Sequence, residues 1–443
     1  MADLKDALHE LADRPRPVGR PAAEPADLWS RGVRRKRLRV AGAVVAVVAV
    51  VAAGAGVGAL VHGRRDVAPV GGSQQIGLPS SIGVPDPGSP GTAEAGPVGP
   101  VAVLWQSTRD GHDGASFFGV SASSGTYRFL DLPRIAGPDD VALSPDGREV
   151  AYWTTGPVTG KDFHYSGQSG DMATVVGIAR YDTVSGKTRF AGLAGAHGLD
   201  VEAIHWTDDD TVVFQFGRLR TAESSVGIAV WSWGPTGLPQ KTPDAPQTEE
   251  WTSATAGRHV VEKGLRYAVL PAGATRASAA TVLPRLPDVA WSDVTTDGTY
   301  VAGVQVGPSP DSYTGKGSLR VGRLRAGHPV TMRRMKDLHA LGIVGWSGPG
   351  RLLVAAARNG VPNSAELKTV DLDSGVVHDV GTIRNRNRWP GVPQYATDLL
   401  TKPFVARAVP HWHDDRWDAA GWGALGAALL AGGFLLWRRR ARG

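Results

Sequence analysis

The stretch "DDVALSPDGREVAYW" (residues 139–153) sets an apolar run, a Ser-Pro-Asp-Gly turn and an alternating strand in immediate succession. Ser144 and Pro145 open the turn. Asp146 is suited to bond nearby backbone amides and Gly147 to take a positive φ, so these four residues carry turn geometry. The question is whether this hairpin stands alone or repeats.

It repeats in degraded form. "VEAIHWTDDDTVVFQF" (201–216), "WTSATAGRHVVE" (251–262), "VAWSDVTTDGTYVAGVQ" (289–305) and "LGIVGWSGPGRLLVAAA" (341–357) follow the same strand–turn–strand grammar. Asp209 and the pair Asp297–Gly298 occupy the turns, and the intervals are roughly 40–60 residues, near the period of a four-stranded propeller blade. Each hairpin is followed by a second one with a Gly-bearing turn: 176–190, 226–240, 267–282, 319–332 and 367–380. A further hairpin at 117–132, with "VAVLWQS" (101–107) ahead of it, lacks an innermost strand, and "VPQYATDLL" (392–400) is the natural donor. The expected fold is all-β: a six-bladed propeller over residues 101–400. Five or seven blades stay open, because the 249–283 unit is weak.

"ALSPDGREVAYW" resembles the repeat of TolB-like and WD-repeat-like β-propellers of bacterial envelopes. Only residues 139–153 match closely; the rest of 101–400 matches in outline. The resemblance implies a protein- or ligand-binding platform and transfers no active-site residue.

The flanks point to a membrane. Residues 40–61 form 22 uncharged positions behind "RRKRLR" (34–39), enough to cross about 30 Å of hydrocarbon at 1.5 Å per residue. A cleaved signal peptide is the competing reading, but the 39-residue lead is long for one. Residues 419–437 form a second uncharged segment, followed by "RRRARG". Arginines flank both segments on the side away from the middle, so both termini are expected in the cytoplasm and the propeller outside. The arrangement is then a cytoplasmic segment (1–39), a transmembrane helix (40–61), a Pro/Gly-rich linker (62–100), the propeller (101–400), a juxtamembrane segment (401–418), a second helix (419–437) and a basic tail (438–443). Seven Pro, eight Gly and no Lys or Arg in 66–100 read as a flexible tether.

The net charge of +6 belongs to the ends. Residues 1–39 and 438–443 each carry +4, leaving the middle at −2, so no nucleic-acid groove is expected. With no cysteine, disulfides and thiolate chemistry are excluded. "MADLKDALHELADRPRP" sets Leu4, Leu8 and Leu11 on one helical stripe. It looks like the cytoplasmic end of membrane proteins encoded beside alternative sigma factors in high-GC Gram-positive bacteria. A single His and no Cys there rule out the zinc-binding form of that family.

Chemistry is sparse. "HWHDD" (411–415) offers His411, His413 and Asp414 as metal ligands, against the plainer reading of a polar membrane flank. The acidic tips "RDGHDG" (109–114) and "TDDDT" (207–211) read as turns. The long insertion 155–174 is the candidate ligand loop, with Lys161, Asp162, His164, Tyr165 and Asp171. No P-loop, Rossmann fingerprint, nucleophile elbow or His-Glu-x-x-His occurs. The expected function is a membrane-anchored, extracytoplasmic scaffold that binds an envelope protein, peptide or glycan, without a cofactor or catalysis. Residues 1–38 read first as a leader helix resting on the inner membrane surface, and second as a docking element for a cytoplasmic regulator, which would make the protein a candidate sensor. The alternatives are a tethered, metal-assisted hydrolase or lyase and a structural envelope component.

Overall fold

The computed structural model describes residues 75–410 except for internal stretches, of which 162–173, 306–316 and 385–391 are the longest and the others hold five residues or fewer. The two expected spans, the N-terminal helix, and His411, His413 and Asp414 lie outside the described residues. Among these, no helix is long and apolar enough to cross a membrane.

The described chain is all-β, built from repeated antiparallel meanders. The first unit is Gln394–Tyr395, Val101–Ser107, Ser116–Ser121 and Tyr127–Leu130, in that spatial order. Its innermost strand therefore comes from the end of the chain, with Gln394 opposite Leu104 and Tyr395 opposite Val103. The second unit is Val141–Leu143, Glu149–Thr155, Val175–Asp182 and Thr188–Gly192; the third runs from Leu199–Trp206 to Gln240–Lys241 and the fourth from Trp251–Ser253 to Thr281–Val282. An eight-stranded sheet follows, in which Arg333–Gly348 is shared. Its Arg333–Ala340 part pairs with Gly317–Arg323 as the outer strand of a fifth unit, and its Ala340–Gly348 part pairs with Arg351–Ala357 as the inner strand of a sixth. The outer strand of the fifth unit thus begins beyond the expected 319–332 hairpin.

The repeated turns behave as their residues dictate. Asp146 Oδ1 accepts the Ser144 hydroxyl at 2.8 Å and the Arg148 amide at 2.9 Å, while Gly147 sits at φ +74°. Asp297 Oδ1 takes the amides of Thr299 and Tyr300, and Gly298 sits at φ +91°.

Apolar faces of neighbouring units pack on one another, because each meander is hydrophobic on both sides. Trp153 and Ile178 of the second unit share a core with Trp206 and Phe214 of the third. Val213 and Val230 pack with Leu270 of the fourth, Tyr267 of the fourth with Val294 and Val301 of the fifth, and Leu319 of the fifth with Leu352 and Val370 of the sixth. The largest cluster joins Leu353 and Leu367 of the sixth unit to Val103 and Phe118 of the first and Val150 of the second. Three buried indoles are satisfied across units: Trp153 Nε1 donates to the Glu202 carbonyl, Trp206 Nε1 to that of Ala142 and Trp346 Nε1 to Thr295 Oγ1, each at 3.0 Å. Arg180, fully buried, donates to Glu149 and to the carbonyls of Trp233 and Gly234, with its guanidinium 4.9 Å from the Trp206 ring centre.

The segment expected as a tether is corrected over its described part. Leu78, Ile82, Val84 and Val98 are buried, so residues 75–100 belong to the folded body. Ser81–Gly83 adds in parallel to the outer strand Val377–Arg384 of the sixth unit, and Leu78–Pro79 pairs in parallel with Phe404–Val405. Pro and Gly dominate the composition of this stretch, but its few apolar residues cover a sheet edge that would otherwise stay unpaired.

Candidate functional site at the turn face

Within each meander the turn after the first strand and the turn after the third fall at the same end. Neighbouring units meet there through hydrogen bonds. The Gly273 amide donates to the Thr207 carbonyl at 2.9 Å, the Gly350 amide to Asp297 Oδ2 at 2.7 Å, and the Asp398 amide to the Pro145 carbonyl at 3.0 Å.

The closing segment 394–404 organises this face. Gln394 grips the second unit, accepting the Leu143 amide at 2.8 Å and donating to the Val141 carbonyl at 2.7 Å. One turn further on, Asp398 faces Asp209 of the third unit, and the two carboxyls are hydrogen-bonded. Partial burial, followed by the charges of Asp398 and Asp146, pushes the Asp209 carboxyl up to about 6. Burial likewise raises that of Asp398. Two carboxyls joined in this way share a proton up to about pH 6. Asp209 lies in the expected turn between Leu199–Trp206 and Val212–Thr221, where Asp208 Oδ1 accepts the amides of Asp210 and Thr211 at 2.9 and 2.6 Å and Asp209 faces Asp398.

On the other side of the same segment lies a cavity of about 510 Å³, between the sixth unit and residues 400–404. Arg351, Thr369 and His378 line it from the sixth unit, Lys402 and Phe404 from the exit segment. Asp371, also in its wall, accepts the Ser374 amide at 2.8 Å and the Ser374 hydroxyl at 2.7 Å, and these bonds hold its carboxyl below the usual carboxylate range. Arg351 reaches Asp371 only at 3.9 Å, with its side chain 67% exposed. Deeper in the body, Asp293 accepts the Ile343 amide at 3.3 Å, and burial raises its carboxyl.

Of the expected ligand loop, Lys161 is described: its carbonyl accepts His197 Nδ1–H at 2.7 Å, tying the start of the loop to the 193–198 turn. Asp162, His164, Tyr165 and Asp171 lie outside the described residues. Arg109, in the acidic tip 109–114, is an anchor, bonded to Asp131 at 2.6 Å and Glu94 at 3.0 Å. Among the described residues, no group of three or more His, Asp or Glu side chains is placed to hold a metal ion.

No protein-family model matches the chain, and no curated protein matches it. Solved structures do resemble it at low identity. A protein described as a 6-phosphogluconolactonase of Bacteroides fragilis is 14% identical over 64% of this chain and 82% of its own, with a TM-score of 0.37. A prolyl endopeptidase is 11% identical over 64% and 50%, with a TM-score of 0.36, and an acylaminoacyl peptidase of Pyrococcus horikoshii is 10% identical over 60% and 41%, with a TM-score of 0.34. The chain thus spans half or less of the length of these peptidases. These neighbours are described as enzymes, unlike the protein without catalysis expected from the sequence.

Proposed function

We propose that the chain is a closed six-bladed propeller of the TolB-like kind, held outside the cell by spans at 40–61 and 419–437, that takes up a small ligand on its turn face. The observation that carries this reading is the cavity of about 510 Å³ between the sixth unit and the exit segment, with Arg351, His378 and Lys402 in its wall. A largely preformed hollow with a few polar groups and apolar walls is the usual form of a small-molecule site. Closure of the ring is supported by Gln394–Tyr395 completing the first unit and by the core shared between the sixth and first units.

Two experiments test it. The chain has no cysteine, so single-cysteine variants report topology cleanly. Leu238→Cys, at a position 75% exposed, is expected to react with an impermeant maleimide on intact cells, and Ala441→Cys only after lysis. Labelling of both on intact cells, or of neither, removes the tethered arrangement. Small carboxylates, phosphate esters, sugars and short peptides are then screened by thermal shift on the full chain and on Thr369→Trp, which fills the cavity. At least one class is expected to stabilise the native chain alone; equal behaviour of the two proteins with every class sinks the reading.

One observation favours a second reading, in which the ligand is a substrate for hydrolysis. Asp209 and Asp398, outside the cavity wall on the other side of residues 394–404, form a carboxyl pair that shares a proton up to about pH 6. A protonated and an ionised carboxyl side by side is the arrangement general acid–base catalysis uses. Loss of turnover in Asp209→Asn at retained ligand affinity is the result expected of that reading.

A further inference from the structure

We infer that the cavity beside the exit segment is a site for a phosphate ester, and that filling it fastens the exit segment to the sixth unit. This rests on the ligand-binding reading above and names its ligand class. The donors in the wall come from both sides: Arg351, Thr369 and His378 on the sixth unit, Thr401 and Lys402 on the segment that leaves it. The one carboxylate present, Asp371, is already occupied by the amide and hydroxyl of Ser374, and its contact with Arg351 is long at 3.9 Å. The charged side chains Arg351, Lys402 and Asp371 sum to +1.

The Thr401 hydroxyl donates to the Asp398 carbonyl at 3.4 Å, which leaves a guanidinium, an ammonium and the Thr369 hydroxyl around the hollow as a set of donors that a tetrahedral oxyanion satisfies with its acceptor oxygens. An apolar ligand would offer no acceptor to Arg351 or Lys402. An anion shared by Arg351 and Lys402 would join strand Arg351–Ala357 to residues 400–404 and, through Phe404–Val405, to the lead-in strand Leu78–Pro79. Occupancy would therefore tighten the base of both segments that leave the folded body.

The test uses the full chain in detergent, with glycerol phosphate titrated by calorimetry. Arg351→Ala/Lys402→Ala is compared with Arg148→Ala/Lys187→Ala, which removes two exposed positive charges elsewhere. Saturable binding weakened about ten-fold or more in the first variant only is expected, with hydrogen exchange at residues 400–405 slowed by ligand in the native chain. Equal weakening in both variants, or no saturable binding, overturns the proposal. Vesicles of phosphatidylglycerol against phosphatidylcholine then separate the sources: retention that needs Arg351 and Lys402 makes the ligand a lipid headgroup, and its absence leaves a free phosphate ester. Failure with glycerol phosphate while another class separates native chain from Thr369→Trp refutes this inference alone; failure with every class refutes both.

Discussion

Gln394 donates its Nε2–H to the carbonyl of Val141, 253 residues earlier in the chain, at 2.7 Å. Its Oε1 accepts the amide of Leu143 at 2.8 Å, so one side chain joins the closing strand of the first unit to the innermost strand of the second. Removing it breaks both contacts at a part-buried seam. Gln394→Ala is expected to lower unfolding free energy by about 1–2 kcal/mol, read from urea denaturation.

Gly147 and Gly375 separate two effects that usually travel together. Both have φ near +75°, but a Cβ on Gly147 would meet the Val101 carbonyl oxygen at 2.0 Å, whereas one on Gly375 meets nothing within 4 Å. Gly375→Ala carries only the backbone penalty, about 1–2 kcal/mol. Gly147→Ala adds a clash with the first unit, across the hydrogen bond that the Val101 amide donates to the Gly147 carbonyl at 2.8 Å. We expect it to cost about 3 kcal/mol or more by the same measurement.

The Asp209–Asp398 pair predicts a pH dependence with a definite sign. A carboxyl raised in the folded state binds its proton more tightly there than when unfolded, so stability falls as pH rises between the two values. For Asp209 that window runs from its ordinary value of 3.8 to about 6. Asp209→Asn removes the repulsion. Its melting temperature is expected to match that of the native chain near pH 4 and to exceed it above pH 6. A constant difference across the range would show that the pair does not titrate together.

Arg180 shows what a buried charge requires. Its guanidinium is enclosed by the Trp206 and Trp233 rings, at 4.9 and 5.7 Å, and Glu149 is its carboxylate partner. Glu149→Ala leaves that cation buried with carbonyl acceptors alone. A loss of about 3 kcal/mol is expected. Arg180→Met combined with Glu149→Leu should recover much of it, since both charges then disappear together.

The meanders were legible because each turn is encoded by adjacent residues. Ser144-Pro145-Asp146-Gly147 and Thr296-Asp297-Gly298 state their own geometry, and "VAVLWQS" coincides with the strand Val101–Ser107. The lead-in strands were not legible. In 75–100 the Pro and Gly content hides Leu78 and Ile82, whose burial depends on partners some 300 positions later, at Thr382, Ile383 and Phe404. The candidate site escaped for the same reason. Asp209 and Asp398 look like ordinary turn acids, and Arg351, His378 and Lys402 form no motif. Only the return of residues 394–404 to the early units sets Asp398 against Asp209 and Lys402 against the sixth unit, and nothing in local sequence encodes that distance. Within the "DDD" turn the sequence does not say which acid bonds the backbone and which is left to meet Asp398, because the three are equivalent until the bonds of Asp208 are seen.

The late origin of Gln394–Tyr395 matters while the protein is being made. Strand Val101–Ser107 leaves the ribosome nearly 300 residues before its inner neighbour exists. At 5–20 residues per second that is a wait of about 15–60 seconds. Throughout it the first unit presents a bare row of amides and carbonyls beside the apolar surface of Val103 and Phe118. A nascent chain in this condition invites pairing with its neighbours on the same message.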